Sequence, residues 1–353
     1  SDVCSSDLTV AAGSTTLPAG GADALYVNPT IDAGIVPIVA VSNYFWFDDD
    51  LDGVRDPAEA PVVGGKVELL NPDGTPATDA DGNPVPPVYT NSDGYFLFDN
   101  LLPGDYRLRF TPPPGYAFTK KGSGGAEDDS NTNPNGVTDT FSVEPVVTGD
   151  TSNENTEPIK ALKWNPTVGA GLVPIVAVGN YVWLDDDSDG IQDKGEDPLA
   201  KVTVELLDAD GNPAHDADGN LVASVKTNSK GYYFFDNLLP GDYRVHFVTP
   251  IGYLVTTNLG GIEARDSNAD PVTGITPVFT IHNKALGNTV ADTDPKTKAL
   301  WVDPTIDAGY LEQEFTPTGG NAGNTGWTAL VVAGFGAGLI AVTRRRRRPT
   351  LAG

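Results

Sequence analysis

The sequence predicts an all-β fold of tandem antiparallel β-sandwich modules, followed by one C-terminal transmembrane helix. Three observations carry that expectation. A set of motifs recurs along the chain at a fixed interval, the mark of repeated structural units. Within each unit apolar residues alternate at period two between Gly, Pro, Asn and Asp turn signals. One uninterrupted apolar stretch lies near the C-terminal end, directly before five arginines.

The repeats set the boundaries. Ala24–Gly34 returns as Ala161–Gly171 and again as Ala299–Gly309. Asn43-Tyr44-Phe45-Trp46 matches Asn180-Tyr181-Val182-Trp183, and Phe98–Arg107 matches Phe235–Arg244 residue for residue. Two complete modules are therefore expected over 37–173 and 174–311, with residues 9–36 the end of a truncated preceding repeat and 312–353 a separate region. Asp32-Ala33-Gly34 closes one unit and Pro37 opens the next, and so short a Pro-containing junction favours a stiff rod. Ser1–Leu8 reads like a translated sequencing adapter and is expected to be an assembly artefact; it contains the only cysteine, Cys4. With no methionine anywhere, the chain is expected to be the C-terminal fragment of a longer protein.

Inside a module the pattern is that of strands. Lys201–Leu207 alternates at period two before Asp210-Gly211-Asn212 turns the chain. Tyr232–Phe235 and Tyr243–Phe247 follow, separated by a Leu-Pro-Gly-Asp turn at Leu239–Asp242. No segment of the modules carries amphipathic-helix periodicity. Short strands with frequent turns indicate a sandwich, and each period is long enough to bury a core of its own.

The sharpest chemical signal is an acidic loop present once in each module. The first runs Asp48-Asp49-Asp50-Leu51-Asp52-Gly53-Val54-Arg55-Asp56-Pro57-Ala58-Glu59; the second runs from Asp185 to Glu196. Loop positions 1, 3, 5, 9 and 12 hold Asp48, Asp50, Asp52, Asp56 and Glu59, and in the second module Asp185, Asp187, Asp189, Asp193 and Glu196. Position 6 is Gly in both, and position 7, Val54 or Ile191, offers its carbonyl. This is the ligand order of an EF-hand loop, in which Gly makes the sharp turn and the last Glu binds through both oxygens. Hard oxygen donors at this spacing predict Ca2+ rather than zinc or copper. An acidic turn in solvent is the bland alternative, and five matching positions in each of two copies weigh against it. Asp208–Asn212 and Asp216–Asn220 look similar but lack a glutamate at position 12, and are expected to be hairpin turns.

Composition excludes other classes. The chain has 22 cationic and 48 acidic side chains and a net charge of −26, a field that repels nucleic acid. Carboxylate pairs raise the question of a glycosidase, but the acids cluster in turn-rich runs and none stands alone in an apolar stretch. His215, His246 and His282 share no ligand spacing, and neither a serine nucleophile elbow nor a phosphate loop is present. Trp46 and Trp183 are expected to pack into the core or against the loops. The chain is not expected to be an enzyme.

Both modules resemble the SdrD-type B domains of Gram-positive surface adhesins, within the wider Cna-B group of Ig-like or prealbumin-like sandwiches. The matching residues are Gly179–Trp183, the Asp185 loop, Lys226-Thr227-Asn228, Gly231–Phe234, Leu239–Tyr243, Pro250–Tyr253 and Asp266-Ser267-Asn268, and such motifs span nearly all of 37–311. The resemblance implies calcium-stabilised stalk modules that carry a ligand-binding head away from the cell wall. It also implies a second, weaker metal site at Asp266, Asn268 and Asp270, with Asp129 and Asn131 in the first module. Many Cna-B relatives form a Lys–Asn isopeptide bond with the help of a buried acid. Here the acid's positions are Phe110 and Phe247, so Lys66 and Lys201, near the usual nucleophile, are not expected to cross-link.

Trp327–Thr343 is apolar or small throughout, and as a helix would rise about 26 Å, close to one hydrocarbon core. Arg344–Arg348 would hold its end in the cytoplasm. Upstream, Phe315-Thr316-Pro317-Thr318-Gly319 is similar to the L-P-x-T-G sortase signal, with Phe-Thr in place of Leu-Pro. Sortase would cleave between Thr318 and Gly319. The expected protein is a secreted, cell-wall-anchored adhesin stalk. Its partners would be sortase, then peptidoglycan, a host or cell-surface ligand through a missing N-terminal head, and the membrane through the C-terminal helix. The competing expectation is the attachment region of a surface enzyme, held by an uncleaved transmembrane helix.

Overall fold

The computed structural model describes residues 35–145 except 123 and 126, 161–257 and 265–313, with two short strands at 329–331 and 341–343. The chain divides into two compact units, one formed by 1–112 with 118–172 and the other by 113–117 with 173–353.

The first nine strands are β1 (Val39–Phe47), β2 (Lys66–Leu70), β3 (Val88–Tyr89), β4 (Tyr95–Leu101), β5 (Gly104–Thr111), β6 (Tyr116–Phe118), β7 (Phe141–Val143), β8 (Lys163–Asn165) and β9 (Ala170–Pro174). In the first unit one sheet has the order β3-β2-β5-β7 and is antiparallel throughout. In the other, β1 takes β4 antiparallel on one side. Its other side pairs parallel, Val39–Val41 with β8 and Phe45–Phe47 with β9.

The second unit repeats this plan with β10 (Val176–Val178), β11 (Val182–Leu184), β12 (Thr203–Asp208), β13 (Val225–Lys226), β14 (Phe235–Leu238), β15 (Gly241–Val248), β16 (Tyr253–Val255), β17 (Phe279–Ile281), β18 (Val290–Ala291), β19 (Trp301–Asp303) and β20 (Ala308–Glu312). Its sheets run β13-β12-β15-β17, β14-β10-β19-β18 and β11-β20-β16. Again the opening strands pair parallel with the closing ones, β10 with β19 and β11 with β20. The sequence led us to expect antiparallel pairing throughout. Parallel neighbours need a long crossover, and here the whole intervening module supplies it.

Alternation is plain in β2, β5, β12 and β15, where every second side chain is buried. The cores are aromatic. Phe110 packs edge-on against Phe45 at 5.2 Å and Phe96 at 5.5 Å between ring centroids, and Phe247 against Tyr233 at 5.4 Å. Phe110 and Phe247, at the positions where cross-linking relatives carry the acid, are therefore core residues. Lys66 pairs with Glu68 at 3.0 Å on the sheet surface. Lys201 is exposed, with φ of 66°, and belongs to a turn where the first unit has Gly64. The Leu-Pro-Gly-Asp turns are closed by tyrosine hydroxyls, Tyr106 donating to the Leu102 carbonyl and Tyr243 to that of Leu239, each at 2.7 Å. Asp208–Asn212 and Asp216–Asn220 are hairpin turns, each first aspartate accepting the N–H of the residue four positions on.

Within the stretch expected to span a membrane, the described residues are β21 (Ala329–Val331) and β22 (Ala341–Thr343), which pair antiparallel. No helix among the described residues is long and apolar enough to cross a membrane. The remainder of that stretch, the motif with Thr318 and Gly319, and Arg344–Arg348 lie outside the described residues, as do residues 1–34.

Candidate metal centre

Each acidic loop starts where a strand ends. The Asp48 N–H donates to the Leu172 carbonyl at 2.8 Å, and that of Asp185 to the Tyr310 carbonyl at 2.9 Å, fixing position 1 at the rim of the parallel pair. Asp48 and Asp185 are only 1% and 2% exposed, so these carboxylates serve the loop backbone from inside the fold. Asp48 accepts the N–H groups of Leu51 at 2.7 Å and Gly53 at 2.9 Å, and the Thr119 hydroxyl at 2.5 Å. Asp185 accepts the equivalent N–H groups of Ser188 at 2.5 Å and Gly190 at 3.0 Å, and the Thr256 hydroxyl.

These bonds hold the loop in a tight, partly left-handed path. Leu51 and Ser188, at position 4, have φ of 67° and 65° although neither is glycine. At position 6, φ is 81° for Gly53 and 78° for Gly190. A Cβ on Gly53 would lie 2.5 Å from the Lys120 carbonyl oxygen, so the position accepts no side chain.

The last glutamate staples the loop ends together. Glu59 accepts the Asp49 N–H at 2.8 Å on Oε1 and the Asp56 N–H at 2.9 Å on Oε2. Glu196 does the same for Asp186 at 2.9 Å and Asp193 at 2.8 Å. Both oxygens thus face inward, as a bidentate ligand requires.

Position 7 is set by a neighbouring segment. Val54 lies opposite Asp129, and Ile191 opposite Asp266, in single antiparallel bridges. The bonds that make each bridge come from the flanking residues: Ser130 N–H to Gly53 O at 2.8 Å and Arg55 N–H to Asp128 O at 2.6 Å, with Ser267 to Gly190 at 2.9 Å and Gln192 to Arg265 at 2.7 Å in the second unit. Val54 and Ile191 are therefore in non-hydrogen-bonded register, so their carbonyls turn away from the partner segment and toward the loop.

The carboxylates converge. Asp48, Asp50 and Glu59 each place an oxygen within 4.8 Å of the others, as do Asp185, Asp187 and Glu196, and also Asp187, Asp189 and Asp193. Asp52 and Asp189 orient the loop backbone, accepting the N–H groups of Val54 at 2.6 Å and Ile191 at 2.8 Å. Asp56 is placed through its N–H by Glu59. An all-oxygen set with a bidentate Glu and a free-facing carbonyl fits a hard divalent cation of calcium's size.

Some acids of the loops are shifted upward. Burial raises the carboxyls of Asp48, Glu59 and Asp187 above their ordinary range, and pushes Glu196 up to about 7. The folded loop thus holds a proton on Glu196 more tightly than the unfolded chain, where the ordinary value is 4.5. Glu196's contribution to metal-free stability should therefore be fully present below about 4.5 and be lost as pH rises through about 7. Denaturant midpoints of the metal-free chain across that window check this, and Glu196→Gln should flatten the decline.

The residues expected to form a second site are engaged in hydrogen bonds within their own segments and to neighbouring ones. Asn131 Oδ1 accepts the Gly169 N–H and Asn268 Oδ1 accepts the Asp307 N–H, each at 2.7 Å, while Asp129 accepts from Asn131 Nδ2 at 3.3 Å. Asp270 lies in an exposed turn and accepts the N–H groups of Val272 and Thr273 at 3.0 and 2.8 Å. Asp266 is buried near Asp307, a residue the sequence did not single out; burial, then the charge of Asp266, push the Asp307 carboxyl up to about 9. Thr119 and Thr256 were also missed, although they occupy matching positions in the repeat. Trp46 and Trp183 are fully buried core residues.

Comparison with known proteins agrees with this architecture. The SdrD B-like domain family matches residues 39–156 and 176–294. Serine-aspartate repeat-containing protein F of Staphylococcus epidermidis is 33% identical over 249 residues, covering 69% of this chain and 13% of its own length. Serine-aspartate repeat-containing protein D of Staphylococcus aureus (strain Newman) is 31% identical over 265 residues, covering 74% and 17%. Colossin-B of Dictyostelium discoideum is 32% identical over 299 residues, covering 80% and 8%. The chain thus spans less than a fifth of the length of each of these relatives. With the family matched in both units, the chain belongs to the SdrD B-like domain family.

Proposed function

We propose that the two modules form a calcium-stabilised stalk in a secreted, cell-wall-anchored adhesin, projecting a ligand-binding head and performing no catalysis themselves. The observation that carries this reading is the duplicated acidic loop. Two units of one chain bring the same oxygen donors together on the same scaffold, with the same backbone staples. Membership of the SdrD B-like family supports a surface role, and the strongly acidic composition suits modules that work in a calcium-containing exterior. A calcium titration of the metal-free chain by calorimetry tests the reading. Saturable binding that Glu59→Gln and Glu196→Gln each reduce by one site is expected; no heat of binding would end it.

Attachment would use the region 312–353. Sortase takes the Thr318 carbonyl, the apolar stretch holds the substrate at the membrane, and the arginines prevent its escape. Thr318→Ala should move the protein from the wall fraction to the membrane fraction. Wall attachment unchanged in that variant, or wild type extracted by detergent alone, would overturn sorting at this position.

A further inference from the structure

The two modules part company at one patch of surface. In the first, β1 and β4 pair without a break, Val41 opposite Phe98, Ser42 opposite Leu97, Asn43 opposite Phe96 and Tyr44 opposite Tyr95. In the second, Val178 pairs with Phe235 and Tyr181 with Tyr232, and the regular pairing lapses between them. Gly179 stands in the gap. A Cβ there would lie 2.5 Å from Cδ2 of Phe234 and 2.6 Å from the Tyr233 carbonyl oxygen, so Phe234 occupies room that the first module gives to the Ser42 side chain.

Burial alternates along the aromatic run opposite this gap. Tyr233 and Phe235 face the core, whereas Tyr232 is 52% and Phe234 39% exposed. Rings two residues apart on one side of an extended chain stand about 7 Å apart. Tyr181 braces Tyr232 edge-on, with 5.1 Å between ring centroids. The two exposed rings and the edge strand β13 line an open cleft of about 470 Å³, together with Asn180, Asn228 and Pro304. Its polar groups are of both kinds. Asn180 Nδ2 is spent on Asp307 Oδ2 at 3.1 Å, which leaves Oδ1 as the acceptor it can offer the cleft. Asn228 Oδ1 accepts the N–H groups of Lys230 at 2.8 Å and Tyr232 at 3.2 Å, which leaves Nδ2 as a donor. The ammonium of exposed Lys226 is a second donor.

Flat apolar faces beside separate donors and acceptors suit a molecule that is apolar on the flat side of its rings and hydroxylated around their edges. Sugars have that character. A polyanion would be repelled by a chain of net charge −26. A proline-rich segment could stack on the same rings, but its prolines carry no N–H for Asn180 Oδ1. We propose that this cleft of the second module binds a neutral oligosaccharide, with adjoining sugar rings on Tyr232 and Phe234 and their hydroxyls on Asn180, Asn228 and Lys226. The first module is not built for it, having Ser42, Tyr89 and Leu97 where the second has Gly179, Lys226 and Phe234.

Saturation-transfer NMR of the full chain in calcium, with neutral tetrasaccharides of glucose, N-acetylglucosamine, galactose and mannose as probes, tests the proposal. At least one should bind saturably at millimolar concentration, with transfer strongest to the protons on the flat side of its rings. Tyr232→Ala, which trims an exposed ring, should weaken that binding by about tenfold. Gly179→Ser combined with Phe234→Leu restores the residues of the first module, and should abolish binding while calcium uptake and melting temperature stay at wild-type values. If the double variant melts lower, Tyr232→Ala alone decides. Binding by none of the four sugars, or binding untouched by Tyr232→Ala, overturns the proposal. So does a polyproline peptide that binds at these rings in preference to every sugar, since the cleft would then be a peptide groove.

Discussion

Removing calcium should lower the melting temperature of the full chain by on the order of 10 °C. At a calcium concentration a hundredfold above Kd, binding to the folded state adds about 2.7 kcal/mol per site. For modules of this size a change of that magnitude moves Tm by roughly 10 °C. The loops explain why the gain is retained in stability rather than lost in rearrangement. Glu59 and Glu196 already staple the loop ends through both oxygens, and Val54 and Ile191 are held in register by the neighbouring segment. Differential scanning calorimetry in calcium and in chelator makes the comparison. Coincident midpoints would dispose of calcium as a structural ligand.

The second large effect separates ligation from folding. Asp48→Ala should destabilise the first module even without metal, by about 3 kcal/mol or more, because it strands buried donors. Those donors are the N–H groups of Leu51 and Gly53 and the Thr119 hydroxyl, in a loop whose backbone at Leu51 is already left-handed. Asp50→Ala makes the contrast. Asp50 is exposed, and among the described residues its carboxylate accepts the Asp52 N–H at 3.3 Å. That variant should melt with wild type in chelator and lose most of the calcium-dependent rise. Equal behaviour of the two variants in chelator would show that Asp48 is only a ligand.

The sequence made much of this legible, for identifiable reasons. Period-two burial in β2, β5, β12 and β15 follows directly from residue order, and the loop ligands from fixed spacing. Strand direction did not follow, because alternation is the same for parallel and antiparallel neighbours. Thr119 and Thr256 were hidden because each lies 71 residues from the aspartate it serves. Asp307 looked like one more turn acid in an Asp-Ala-Gly run, and only three-dimensional burial distinguishes it from Asp270. Lys201 read as a strand residue because it is followed by alternating apolar positions, yet its positive φ makes it the end of a turn.

The parallel pairing of opening and closing strands has a mechanical consequence. Pulling on the two ends of a module drags β1 one way and β8 and β9 the other, along their common axis. The hydrogen bonds between them are then loaded in shear and must yield together, whereas a hairpin pulled from its open end would unzip one bond at a time. Resistance to force is set by the unfolding rate, so a barrier of this kind matters more to a tethered chain than its equilibrium stability. The acidic loop begins at the bond from Asp48 to Leu172, immediately beyond the last rung of that clamp. A cation seated there would add its own ligand bonds to the set that must yield together.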